Sequence, residues 1–144
     1  MKIVNHLIVV DTLEKFKFEK SPNYSGVVNP LYLIIHFTAG TTADSAISWF
    51  KKSDSKASAH LIIDRDGSIV QMVPFNRKAW HAGESSWGNL NGINQHSIGV
   101  ELVNAGKLQR TGGSQWVNWS KRTVPSSEVT VARHKNETTE AGWH

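Results

Sequence analysis

The chain carries seven histidines and no cysteine, so imidazoles and carboxylates are its only transition-metal ligands. Disulfides, thiolate metal sites and a cysteine nucleophile are excluded. His36 lies near the end of the run "LYLIIHF" at residues 31–37, in which every other residue is apolar or aromatic, and "TAG" follows at once. Such a run reads as a strand buried on both faces, where an imidazole is either hydrogen-bonded inside the core or displayed at the strand's end. Displayed there, it could be one of the three protein ligands of a hydrolytic zinc site whose remaining position holds the water to be activated. On the pattern alone, a core histidine bonded to a backbone carbonyl is the commoner case. Glu101 poses the same choice in "SIGVELVNAG", where Ile98, Val100 and Leu102 alternate with Gly99, Glu101 and Val103. One face packs, and the other carries a carboxylate that either meets solvent or serves as a general base. His60 begins a strand, where a structural role is the commoner one. His81 sits in "AWHAG", where Trp80, His81 and Trp87 bring stacking surface and hydrogen-bond donors into one loop.

Holding these residues together takes a sheet. The opening "KIVNHLIVV" is strand-like, and "EKFKFEKSPNYSGVVNP" reads as a polar connection bounded by Pro22 and Pro30. After the strand at 31–37, "TTADSAISWFKK" places Ala43, Ala46, Ile47 and Phe50 at helical spacing, with Thr41 or Thr42 as N-cap and two lysines in the final turn. Residues 59–73, "AHLIIDRDGSIVQMV", are two β-rich runs joined by Arg-Asp-Gly, the pattern of a hairpin. A loop rich in Gly, Asn and Trp spans Asn76 to Gln95 and leads into the strand that carries Glu101. "NAGKLQRTGGSQWVNW" reads as a further loop, and "EVTVARH" as a last strand. Several strands with one helix packed across them predict an α/β domain with a mixed central sheet.

The 144 residues suit a single domain over residues 1–144, and 39% hydrophobic with 19% charged residues is the composition of a soluble globular protein. A net charge of +4 favours polyanionic partners, which include nucleic acid, anionic lipid and the bacterial cell wall. No arginine-rich run or aromatic-interleaved basic strand supports nucleic acid, so none is expected. The apolar run of the first ten residues is interrupted by Asn5 and His6 and followed by charges, not by a small-residue cleavage site. It does not read as a signal peptide, and no stretch approaches the ~18 apolar residues of a membrane span. A cytoplasmic protein is expected, with lysis as its route to the wall.

The segments "LIIHFTAG", "SAHLIIDRDGSIVQMVPFNRKAWHAG" and "HSIGVELVN", in this order and spacing, resemble the type-2 N-acetylmuramoyl-L-alanine amidases, a group that includes muropeptide-recycling enzymes, phage amidases and peptidoglycan recognition proteins. The resemblance covers residues 28–105 well and 126–144 loosely. It implies a mixed sheet flanked by helices and hydrolysis of the amide between N-acetylmuramic acid and L-alanine of peptidoglycan or muropeptides. It further implies Zn2+ as cofactor with His36 as a metal ligand, Glu101 as catalytic residue beside the metal-bound water, and Thr38, Trp80 and His81 as substrate-binding residues. Phe37 stands where the family usually has a second, non-ligating histidine. With these matches the site readings of His36 and Glu101 are preferred to the core and solvent readings.

The family's other two ligands, a His and then an Asp or Cys, have no counterpart before the chain closes in "TTEAGWH". The resemblance is therefore to an amidase missing its C-terminal helix and strand. His134, at the end of the last strand-like run, is the substitute ligand to consider, ahead of His144. Weak zinc binding is expected, and a non-catalytic peptidoglycan-binding module is the alternative function. An incomplete sheet would also expose apolar surface through which copies could associate.

Overall fold

In the computed structural model, which describes residues 1–11, 15–112, 115–132 and 141–144, the apolar runs assemble into a five-stranded mixed sheet. Its strands are β1 (Phe16–Phe18), β2 (Tyr32–Phe37), β3 (Leu61–Ile63), β4 (Ile69–Gln71) and β5 (Ser97–Leu102). The spatial order is β1-β4-β3-β5-β2. The strands β2, β5 and β3 run parallel, β3 and β4 form the expected antiparallel hairpin, and β1 pairs parallel with β4. The hairpin turns through Gly67, whose φ of 83° is the left-handed conformation that the Arg-Asp-Gly sequence announces.

Register decides which side chains meet. His36 on β2 lies opposite Glu101 on β5, and Glu101 lies opposite Ile62 on β3. Residues directly opposite share a face, so His36, Glu101 and Ile62 all project from the same side. Helix α1 (Ala43–Phe50) crosses that side, with Ala43 and Phe50 packed into a core with Ile62, Val70 and Met72. Thr42 is its N-cap but makes no side-chain cap bond; Ser45 Oγ donates instead to the Thr42 carbonyl at 2.8 Å. The two lysines expected in the last turn lie beyond it, and Lys51 pairs with Glu19 at 2.7 Å.

The strand at 31–37 is not buried on both faces. It is the sheet's edge, and Leu33, Ile35 and Phe37 are 61%, 56% and 58% exposed. Among the described residues β2 pairs only with β5, and α1 covers only the opposite face, where Ile34 and His36 are half-buried. The Glu101 side of β5 also departs from a solvent-facing pattern, since Ser97 and Gly99 on it are buried.

Three segments hold more structure than the sequence reading gave them, the first read as a single strand-like run and the others as connections before a last strand. "KIVNHLIVV" is a hairpin of Lys2–Val4 and Leu7–Val9 that turns at Asn5 and His6, with φ of 49° and 67°. The polar connection supplies β1 and the strand Tyr24–Val27, which pairs with Arg77–Ala79. The chain after residue 104 builds a second five-stranded sheet from Lys107–Arg110, Trp116–Val117, Thr123–Val124, Thr130–Ala132 and Ala141–Trp143, around a core of Ala105, Leu108, Trp116 and Val124. Among the described residues no helix is long and apolar enough to cross a membrane.

Candidate active site

Glycine at position 99 lets an imidazole lie directly on β5. A Cβ there would stand 2.3 Å from Cγ of His81, a distance no side chain survives, so only glycine admits the ring. His81 Nε2 lies 3.2 Å from Ser97 Oγ, whose own proton goes to the Ile93 carbonyl at 2.7 Å. The hydroxyl must therefore accept from His81, which places the His81 proton on Nε2 and leaves Nδ1 as an acceptor. That Nδ1 faces His36 Nε2 at 3.0 Å, so His36 donates to it. The rings meet edge-on at 5.2 Å. Ser97 thus fixes His81, and His81 fixes His36.

The backbone of this loop is held as firmly. Asn94 Oδ1 accepts from the His81 and Ala82 amides at 3.0 and 2.8 Å. The Trp80 amide donates to Ser58 Oγ at 2.9 Å, and its indole N–H donates to Ser25 Oγ at 3.0 Å. His60 is fully buried: its Nδ1 accepts from the Gly99 amide at 3.0 Å, so its Nε2 proton goes to the Arg77 carbonyl at 2.9 Å. It is a structural tie between β5 and the strand that leads into the His81 loop. Thr38 Oγ1 accepts from the Gly40 and Asn104 amides at 3.2 and 3.3 Å, closing the turn after β2.

Burial sets the charge of the cluster. His36 and His60 are held below the usual imidazole range by desolvation, which the Arg77 carbonyl opposes at His60. His81 is pushed down to about 4, by burial first and then by the neighbouring His36 and His60. Desolvation pushes Glu101 up to about 7, and its Oε2 is buried with no hydrogen-bond partner among the described residues. Near neutral pH the imidazoles are uncharged and the carboxyl exchanges its proton readily. A recess of about 270 Å³ lined by Thr38, Ser45, Trp49 and Glu101 gives access to it.

The structure thus brings His36, His81 and Glu101 together, with Thr38 at the rim and Trp80 at the start of the loop. Among the described residues no three His, Cys, Asp or Glu side chains converge to hold a metal. His36 is the one expected ligand in place, which does not fit a three-ligand zinc site. His134 lies outside the described residues. His144 follows the last strand of the second sheet, where its Nδ1 accepts from the Ala105 amide at 2.8 Å and its Nε2 lies 3.0 Å from Glu128. Ser97, Asn94 and Ser58 were not singled out by the sequence; Gly99 carried a signal, as a glycine inside an apolar strand.

Residues 27–139 match the family model of N-acetylmuramoyl-L-alanine amidases. The 1,6-anhydro-N-acetylmuramyl-L-alanine amidase AmpD of Salmonella typhimurium is 40% identical over 97 residues, covering 67% of this chain and 52% of that protein. The N-acetylmuramoyl-L-alanine amidase XlyA of Bacillus subtilis is 36% identical over 103 residues, covering 67% and 32%. The chain thus spans about half, or less, of these curated relatives. Among solved structures, a selenomethionine derivative of AmpD superposes with a TM-score of 0.60 at 28% identity over 72% of this chain and 66% of that one. A mutant endolysin from Bacillus subtilis gives 0.50 at 33% identity over 61% and 60%.

Proposed function

Since the chain belongs to the N-acetylmuramoyl-L-alanine amidase family, we propose that it hydrolyses the amide joining N-acetylmuramic acid to L-alanine in peptidoglycan or muropeptides. The observation that supports this reading is the register of β2 and β5, which sets His36 opposite Glu101 on one face beneath the His81 loop. Glu101, titrating near 7, is matched to both halves of the proton traffic. Its carboxylate takes a proton from the attacking water, and the resulting acid returns it to the leaving amine of L-alanine. Thr38 and the Trp80–His81 loop line the groove in which the muropeptide is held, and orientation there supplies part of the rate. His36 is proposed as a zinc ligand. The described donors do not close a set around the metal, so zinc content is part of the test.

That incomplete donor set favours one alternative, a module that binds peptidoglycan without turnover. Release of L-Ala-peptide from a muropeptide, measured with zinc content on the wild type, His36→Ala and Glu101→Gln, separates the two. Turnover lost in both variants, with about one zinc per chain lost only in His36→Ala, is the outcome expected of an amidase. Muropeptide binding without turnover in the wild type would establish the binding module. The absence of both binding and turnover would overturn the reading.

A further inference from the structure

Strand β2 closes one side of the first sheet with half of its backbone unused. The amides of Tyr32 and Thr38 donate to the carbonyls of His96 and Leu102 at 3.0 Å each, so the even-numbered residues turn their peptide groups toward β5. Peptide groups alternate along a strand, which turns the N–H and C=O of Leu33, Ile35 and Phe37 outward. Among the described residues no strand pairs with that edge. The side chains of the same three residues are more than half exposed, on the face that α1 leaves bare.

Edge strands are ordinarily protected by a lysine, a proline or a bulge. β2 has none of these. Residues 31–38, "LYLIIHFT", contain no lysine, arginine, carboxylate or proline, and the register against β5 runs without a break from Tyr32 to Phe37. A charged peptide finds no counter-charge along this edge. A neutral strand of the same composition meets no repulsion, and the one always present at equal concentration is β2 of a second copy. The net charge of +4 opposes their approach only across the ~8 Å over which physiological salt leaves surface charges unscreened.

We propose that β2 pairs antiparallel with its own copy about a two-fold axis through Ile35, continuing the first sheet across a dimer. This register sets Leu33 opposite Phe37 of the partner subunit and Ile35 opposite Ile35 of the partner subunit, and each facing pair exchanges both of its backbone bonds. It is the register that matches all three outward residues with one another. A slip that faced Phe37 with Leu31 of the partner subunit would need the Leu31 amide, which is already given to the His96 carbonyl at 2.8 Å. Cross-strand contact then joins the apolar row of one copy to that of the other. The same register brings Tyr32 of the partner subunit opposite Thr38, which lines the Glu101 recess, so each copy supplies part of the rim of the other's candidate site. A contact one strand long falls short of the roughly 1,200 Å² buried by stable interfaces, which makes this a dimer of micromolar strength.

The test is sedimentation velocity of the whole chain from about 1 to 500 µM, with amide hydrogen exchange of Leu33, Ile35 and Phe37 followed at both ends of that range. A monomer–dimer equilibrium within the range, with those three amides protected only at high concentration, is expected. Ile35→Pro deletes the central outward N–H without touching a bond to β5, and Ile35→Lys sets a charge against its own copy on the axis. Each should weaken the dimer about tenfold or more. Trp87→Lys, which changes an equally exposed apolar side chain on the hairpin Ser86–Trp87 and Leu90–Asn91, should leave it unchanged. The exchange measurement is made on the wild type, so it stands whether or not the variants fold. A monomer at every concentration, protection that avoids the three amides, assembly beyond the dimer, or equal weakening in Trp87→Lys would overturn the proposal. No arm reads turnover, so the outcome is independent of the amidase reading.

Discussion

A carboxyl group with one oxygen buried and unpartnered couples stability to pH at a single residue. The Glu101 pKa is raised from 4.5 to about 7 in the folded chain, so between these values the folded state keeps a proton that the unfolded state has released. Its stabilising contribution is present below 4.5 and is lost as pH rises through 7. Glu101→Gln removes that loss. It should be more stable than the wild type at alkaline pH, by about 1–2 kcal/mol once solvent screening is allowed for, and little changed near the unfolded carboxylate range. Thermal melts at both ends of the window check this; an equal change at both would mean that the carboxylate is solvated. His36 and Glu101 stood out in the sequence because each is a lone ionisable group in an apolar strand, although that pattern alone favoured a core histidine and a solvent-facing carboxylate. What no pattern supplies is that parallel register sets them opposite one another. Ser97 and Asn94 stayed hidden because isolated Ser and Asn are ordinary in loops and at strand ends, and their role appears only with His81 in place.

At the scale of elements, helix α1 was readable from its apolar spacing, but its C-terminal clamp comes from a distant segment. Asn23, 2% exposed, has Nδ2 within hydrogen-bond reach of the Phe50, Lys52 and Ala57 carbonyls at 3.3, 2.8 and 3.0 Å, and Ser21 Oγ donates to the Phe50 carbonyl at 2.6 Å. These satisfy carbonyls that a helix end leaves open. Asn23→Ala should cost about 1–3 kcal/mol in urea denaturation, and Asn23→Asp at least as much, because a carboxylate cannot donate to carbonyls. A well-tolerated aspartate would show that the amide's donors are not what holds the helix end. Strand β2 was legible as a strand and misread as a central one. An all-apolar run is produced equally by burial on both faces and by an edge whose uncovered face is apolar, and the row of Leu33, Ile35 and Phe37 is the second case. Of the second sheet only the strand Thr130–Ala132, within "EVTVARH", was legible; the others are two to four residues long, too short for an alternation to emerge.

Across the whole molecule, charge and chemistry are separated. The sixteen Lys and Arg exceed the twelve Asp and Glu, giving +4, while the cluster of His36, His60 and His81 is held toward its neutral form by burial. The cations that attract a polyanion therefore act from the outer surface, where salt screens them over about 8–10 Å. Co-sedimentation with isolated anionic sacculi should fall several-fold between about 0.05 and 0.5 M NaCl, as long-range attraction is screened. If it did not fall, the positive balance would have no part in bringing the protein to an anionic wall.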